Sequence, residues 1–414
     1  MKKKMVLELL LLAVVVFSVH SQQYNNENDF EVENARSSLH RFLVGVKINR
    51  YTGTSKTVRI PPKIQNQNVV YIGDRAFESM ELISVVIPDT VILIGKYAFS
   101  ESSGQAMTTN QLTSIIIPDS VSSIGIGAFM GNQLSNVNLG KGVNSISDYA
   151  FAGNQITNIN IPNSVVNIGE SAFANNPLTR VTIPSSVAIM RGYLSIDDFD
   201  RNIPPQKAAN PFPFIPSLEY ISVDPANKYF VSIDGVLYSN DKKVLYAYPP
   251  TKGDAYTIPN GVTEIASRAF AGSQIERISL PNSLDIIGEG AFMRANLSSI
   301  DIPNSVTKID GYAFFENGLT TVNISNSTRS IGKWAFAMNQ LTSVTIPNNV
   351  TYIGDYAFRY NQLTSITIGA NVNLGGAYDG EYIDAFDNGF DDFYNRNGKK
   401  AGTYSYSRNR WSRR

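Results

Sequence analysis

Residues that could do chemistry are sparse in this chain, and most lie in two places. Asp384, Asp387, Asp391 and Asp392 crowd the aromatic stretch YIDAFDNGFDDFYNRNGKK near the carboxyl end. Clustered carboxylates can hold calcium, or act as a paired acid and base on a glycosidic bond. The D-x-[DN]-x-[DN]-G spacing of a calcium loop is absent, however, and clustering alone does not single out glycosidase carboxylates. A solvated acidic turn is the simpler expectation. The second place is a pair of columns recurring at 22-residue steps over much of the chain. One reads Val86, Ile116, Asn138, Asn160, Thr182, Thr257, Ser279, Asp301, Asn323, Thr345, Thr367. The other reads Ser84, Ser114, Asn136, Asn158, Arg180, Arg277, Ser299, Thr321, Ser343, Ser365. Amides and hydroxyls in rows suit repeated hydrogen bonding rather than proton transfer.

The rest of the inventory narrows the chemistry further. There are no cysteines, hence no disulfide, thiolate nucleophile or zinc–thiolate site. Of the two histidines, His20 lies in a leader-like segment and only His40 remains for acid–base work near neutral pH. No cofactor or metal is expected.

What must position the two columns is a repeat. Residues 112–177 are three abutting copies of one 22-residue unit, LTSIIIPDSVSSIGIGAFMGNQ, LSNVNLGKGVNSISDYAFAGNQ and ITNINIPNSVVNIGESAFANNP. A second block keeps the step, with copies starting at Ile275, Leu297, Leu319, Leu341 and Leu363. Such self-similarity is the mark of a solenoid, in which each unit buries its apolar side only against its neighbours. The first half of each unit, L-x-x-I-x-I, alternates at strand period, and a proline usually follows where pairing must stop. The second half, S-V-x-x-I-G-x-x-A-F, predicts a turn and a short helical return. A Phe column at 77, 99, 129, 151, 173, 270, 292, 314, 336 and 358 predicts the core. Asparagines at 110, 132, 154, 176, 317, 339 and 361 predict a stacked ladder bonding the turns. The fold class expected is therefore an α/β repeat with a parallel β ladder on one face and caps at both ends.

Interruptions define the organisation. Residues 1–21 read as a secretory signal peptide, with Lys2, Lys3 and Lys4 ahead of the apolar run Leu9 to Phe17, so the mature chain begins near Gln22. Residues 22–58 read as an amino-terminal cap and 59–184 as the first repeat block. An inserted loop falls at Glu101–Thr108, and Val86 and Ile116, apolar on adjacent outward positions, read as packing beneath it or as a contact patch. Residues 185–255 are an interrupted repeat. It holds an exposed proline-rich excursion over 190–217, a restored strand half at Leu218, Ile221 and Val223, and a hairpin turning at Asn240–Lys243. Its Tyr220, Tyr229, Tyr238, Tyr246 and Tyr248, with Phe212, Phe214 and Phe230, read mostly as local core, with an exposed subset able to anchor a partner. Residues 256–370 form the second block, and 371–414 a carboxyl-terminal cap with a basic tail.

The unit I-P-x-S-V-x-x-I-G-x-x-A-F, as at Ile161–Phe173 and Ile302–Phe314, resembles the BspA-type leucine-rich repeat family over roughly residues 58–370. The stretch SVDPANKYFVSIDGVLYSNDKKVLYAYP resembles an element that interrupts arrays in that family. The resemblance implies a secreted or surface-exposed bacterial protein, some members being adhesins, and implies no catalytic residues.

Without its leader the chain carries 32 basic and 34 acidic residues, from 35 of each in the whole, a balance that excludes an electrostatic nucleic-acid binder. No stretch of the mature chain is apolar enough to span a membrane. The expected function is binding of an extracellular protein or glycan on the ladder face. The residues expected there are Asn136, Asn138, Asn158, Asn160, Arg180, Thr182, Arg277, Ser279, Asp301, Asn323, Thr345 and Thr367. Two alternatives stand beside it: a self-associating structural protein, and an enzyme acting on glycans through the tail aspartates.

Overall fold

The computed structural model describes residues 23–35, 44–100, 109–191, 207–378 and 381–413. The leader, His40, the Glu101–Thr108 insertion and the prolines at 204 and 205 lie outside the described residues.

Each repeat is one turn of a β-solenoid whose anchors point inward. In the copy starting at Leu112, the side chains of Leu112, Ile115, Ile117, Val121, Ile124, Ala128 and Phe129 are all buried. Sequence spacing becomes strand register directly. Asn136–Asn138 pairs in parallel with Ser114–Ile116, residue against residue, at an offset of 22. Pro118 then ends the strand, and its carbonyl accepts from the Val121 N–H to close the turn.

The second half of the unit differs from expectation. It is a short strand, two residues long in most turns, followed by turns, and these strands form the longest sheets. Leu93–Ile94, Ser123–Ile124, Ser145–Ile146, Asn167–Gly169 and Ile189–Arg191 continue one sheet. Val244–Ala247, Glu264–Ile265, Ile286–Ile287, Lys308–Ile309, Ser330–Ile331, Tyr352–Ile353 and Asn373–Leu374 continue another. The ladder strands, expected to be continuous, associate only in pairs such as Ser299–Asp301 with Thr321–Asn323 and Ser343–Thr345 with Ser365–Ile368.

No helix forms on the return side because the residue just before A-F is left-handed in turn after turn. Tyr97, Gly127, Tyr149, Ser171, Arg268, Gly290, Tyr312, Trp334 and Tyr356 all have φ between 54° and 60°. A left-handed residue cannot continue a right-handed helix. Its N–H donates instead to the next turn, as from Tyr312 to the Lys333 carbonyl at 2.8 Å. Among the described residues the one α-helix is Phe390–Arg396.

The core is an aromatic column longer than the A-F motif shows. It starts at Tyr51, stacked 5.4 Å from Phe77, and passes through Phe99, Phe129, Phe151 and Phe173. Phe212 extends it, 5.7 Å from Phe173. After the hairpin, Tyr248 restarts the column against Phe270 at 4.8 Å, and Phe386 ends it against Phe358 at 4.9 Å. The exposed excursion expected over 190–217 is thus corrected for its second part. Phe212 and Ile215 are buried, and the Phe173 N–H donates to the Pro211 carbonyl, because residues 207–215 supply the A-F segment of a regular turn. Residues 207–209 also bridge the two long sheets, through Arg191 to Ala208 and Ala209 to Ser267.

The predicted asparagine ladder is present. Asn132, Asn154, Asn176 and Asn339 each accept an N–H from the preceding turn and donate to two phenylalanine carbonyls. The predicted hairpin pairs Phe230–Ile233 with Val236–Ser239 and the latter with Val244–Ala247. Antiparallel strands stand at both ends of the parallel array. Phe30–Asn34 pairs with Val46–Tyr51, and Gly402–Ser407 pairs with Ser365–Ile368 on one side and Arg410–Arg413 on the other.

Candidate ligand-binding surfaces

Alternation along the ladder strands sends Ile115, Val137, Ile300 and Val344 inward and their neighbours outward. Asn136, Asn138, Asn158, Asn160, Arg180, Thr182, Arg277, Ser279, Asp301, Asn323 and Thr345 are all exposed. Several are tied to adjacent turns: Thr182 Oγ1 lies 2.7 Å from Ser222 Oγ, Arg180 pairs with Glu219 at 3.4 Å, and Arg277 pairs with Asp254 at 3.1 Å. Thr367 is half-buried, because the Gly402–Ser407 strand lies beside it and Thr403 Oγ1 is 2.9 Å from its hydroxyl.

Between the ladder pairs ending at Asn323 and beginning at Ser343 the face opens into a groove of about 440 Å³. Thr321, Asn323, Ser325, Asn326, Ser343 and Thr345 line it, over a floor of Val322 and Val344. The groove falls where consecutive ladder strands are not paired as a sheet.

Val86 and Ile116 are exposed on adjacent turns, at 42% and 69%; the Glu101–Thr108 loop expected to cover them lies outside the described residues. Ile83 beside them is exposed as well.

Most of the insert's aromatics are structural, as expected. Phe212, Phe230, Tyr238 and Tyr248 are buried, Tyr246 and Phe214 partly so, and only Tyr220 and Tyr229 are exposed. Tyr238 and Tyr256 share a hydroxyl hydrogen bond of 2.6 Å, and burial raises the Tyr238 pKa far above the usual phenol range.

A cleft of about 570 Å³ at the junction of the two blocks was not legible in the sequence. Met130, Met293 and Phe214 form apolar walls, and Tyr149, Ser171 and Arg268 a polar floor. Arg268 Nη1 donates to Glu170, to Tyr149 Oη at 2.6 Å and to Ser171 Oγ at 3.2 Å. Burial pushes the Glu170 carboxyl up, against the pull of Arg268. One signal was available: Gly131 and Gly153 occupy the column position that Glu316, Met338 and Tyr360 fill in the second block. The pairing of Glu170 with Arg268, 98 residues apart, had none.

The tail aspartates do not form one site, nor a purely solvated turn. Asp387 Oδ2 accepts from the Tyr360 N–H at 2.6 Å, and Asp392 pairs with Arg396 at 2.8 Å. Asp391 is fully buried, and its oxygens accept from the N–H groups of Ala385 and Phe386 at 2.8 and 3.1 Å. Burial pushes its pKa up to about 7 against those two hydrogen bonds. The folded chain therefore holds a proton that the unfolded chain has released above about pH 4. This contribution is fully present below about pH 4 and is lost as the pH rises to about 7. In a Trp334→Phe background, Trp411, packed 4.9 Å from Phe390, reports local unfolding of this end. Its urea midpoint should fall between pH 4 and 7, and the fall should shrink in Asp391→Asn to the part that Asp384, also raised by burial, contributes. A flat profile in the parent protein would disprove the assignment.

Fold and surface together define a class: a parallel β-solenoid presenting rows of small polar side chains, with no helix among the described residues long and apolar enough to cross a membrane. The model of the BspA type leucine-rich repeat region matches six copies, at residues 55–111, 106–194 and 256–378. The chain belongs to that family. Among solved structures it is similar to a leucine-rich repeat protein from Eubacterium ventriosum, with 20% identity, a TM-score of 0.53, and 82% of this chain and 88% of that one covered. It is also similar to a leucine-rich cell surface protein from Faecalibacterium prausnitzii, with 23% identity, a TM-score of 0.50, and 88% and 98% covered. These likenesses support the shared fold. No curated protein matches the chain.

Proposed function

We propose that the mature chain is an exported, surface-located binding protein of adhesin type, holding an extended extracellular protein or glycan along its ladder face without chemistry of its own. The observation that carries the reading is the outward display of amides and hydroxyls on most turns of the array, opening into the groove beside Asn323 and Thr345. At ~4.8 Å per strand, about eleven turns give a surface on the order of 50 Å long. Many weak hydrogen bonds along that length suit a linear partner better than a compact one. Export through residues 1–21 and closure of the array by the terminal antiparallel units belong to the same reading.

The test is an array of extracellular-matrix proteins and glycans probed with the mature chain, then with two variants. One carries Asn138→Glu, Asn160→Glu and Thr182→Glu; the other carries Asn323→Glu and Thr345→Glu. Like charges about 5 Å apart on neighbouring turns cost modest stability but leave the inward anchors untouched. The second variant should lose about tenfold or more in affinity while its circular dichroism is unchanged. Both variants binding like the parent would refute the ladder face as the site.

A further inference from the structure

We infer that copies of this chain assemble head to tail, the edge strand at the amino end of one pairing with the edge strand at the carboxyl end of the next. Among the described residues, Phe30–Asn34 pairs with a strand on one side only, and so does Arg410–Arg413. An unpaired edge offers a row of backbone N–H and C=O groups to any strand that can approach it, and proteins commonly block such edges with charge. Here both edges carry charge, of opposite sign.

The amino edge presents Glu31 and Glu33 outward, both exposed, and the 3-10 turn just before it adds the exposed Glu27 and the half-buried Asp29. On the neighbouring strand Lys47 pairs with Glu33 at 3.0 Å and Arg50 stands opposite Glu31. The carboxyl edge presents Arg410 and Arg413, with Arg408 in the adjoining turn, all exposed, and no acidic residue follows Asp392. Arg413 is tied to the Ala401 carbonyl at 3.1 Å, which leaves Arg408 and Arg410 as the cations facing outward. Two amino edges repel each other, as do two carboxyl edges, while an unlike pair attracts. The charges thus permit one pairing and oppose the other two.

The inward faces agree as well. Phe30 is buried and Val32 half-buried beneath the glutamates, and Trp411 is buried beneath Arg410. Edge-to-edge pairing extends both sheets with apolar residues on one face and Glu–Arg neighbours on the other, the cross-strand arrangement that stabilises antiparallel and parallel pairs alike. Because the two surfaces differ, the contact is heterologous, and it propagates into a chain of copies unless the geometry closes a ring.

Two charge reversals test this on the purified mature chain. The first is Glu31→Lys with Glu33→Lys, the second Arg408→Glu with Arg410→Glu, each checked for folding by circular dichroism. In sedimentation velocity at low ionic strength the parent's weight-average coefficient should rise with concentration, and the rise should collapse in about 0.5 M salt. Each reversal alone should weaken association about tenfold or more. Mixed in equal amounts the two variants should regain association and alternate along the chain, because the native Arg edge of the first meets the native Glu edge of the second and the two reversed edges complement each other as well. A parent that stays monomeric at every concentration, association indifferent to salt or to both reversals, or a mixture that stays monomeric would each overturn the inference.

Discussion

Phe151→Ala is expected to destabilise the protein by roughly 3–5 kcal/mol, the range for a buried ring lost from a close-packed core. The ring lies parallel to Phe129 at 5.4 Å and 3°, and to Phe173 at 5.6 Å and 9°, and it is completely buried. Its removal leaves a gap that neither neighbour can fill, since each is itself pinned by the next ring in the column. Stability in a solenoid is close to a sum over turns and their interfaces. The loss therefore falls on the two interfaces that Phe151 makes, and the first block should open ahead of the second. Reversible urea denaturation measures the cost, and hydrogen exchange of the first and second blocks locates it. A cost below about 1 kcal/mol would mean that the column is not the core.

The same column shows how far a sequence of this kind can be read. The 22-residue step passed straight into strand register, because in a parallel solenoid each inward residue must sit above its equivalent in the next turn. Phe212 and Tyr248 read as local core of the insert rather than as rings of the column, because motif and position had separated. The first ends an insertion and the second is a tyrosine, yet both complete the stack. The return side was misjudged for a different reason. Val121 and Ile124 are three residues apart, a spacing that a helix and a tight strand–turn share, and the left-handed residue that decides between them is glycine in some turns and Tyr, Trp, Arg or Ser in others. The outward rows of the ladder face were legible from alternation alone. The groove was not, since it depends on which consecutive ladder strands pair, and every turn reads alike in that respect. The cleft at Arg268 depends on contacts between distant turns, which no local pattern records.

The asparagine ladder allows a sharper test than the rings, because its hydrogen bonds are redundant on one side and unique on the other. Asn154 Nδ2 donates to the carbonyls of Phe129 at 2.9 Å and Phe151 at 3.0 Å. Each carbonyl also accepts from a neighbouring asparagine, Asn132 at 3.2 Å for Phe129 and Asn176 at 2.9 Å for Phe151. Asn154 Oδ1, by contrast, is the acceptor for the buried Leu134 N–H, at 3.0 Å. Asn154→Ala thus leaves both carbonyls partnered and orphans one donor. The cost of such a donor, with the small cavity added, is about 2–3 kcal/mol. Asn154→Asp keeps an acceptor for Leu134 but turns a carboxylate toward the carbonyls of Phe129, Phe151 and Ala152 in a site closed to water. Burying an unpaired charge costs more than losing one hydrogen bond. The aspartate variant should therefore be the less stable of the two at neutral pH, and should recover toward or past the alanine variant as the pH falls toward about 4, because the buried carboxyl takes its proton in the folded chain before the unfolded chain does. Urea midpoints of both variants at pH 7 and pH 3.5, each measured against the parent at the same pH, decide the matter. If alanine were the more damaging at pH 7, the ladder's acceptor side would be its main contribution, and the donor side would be a packing feature only.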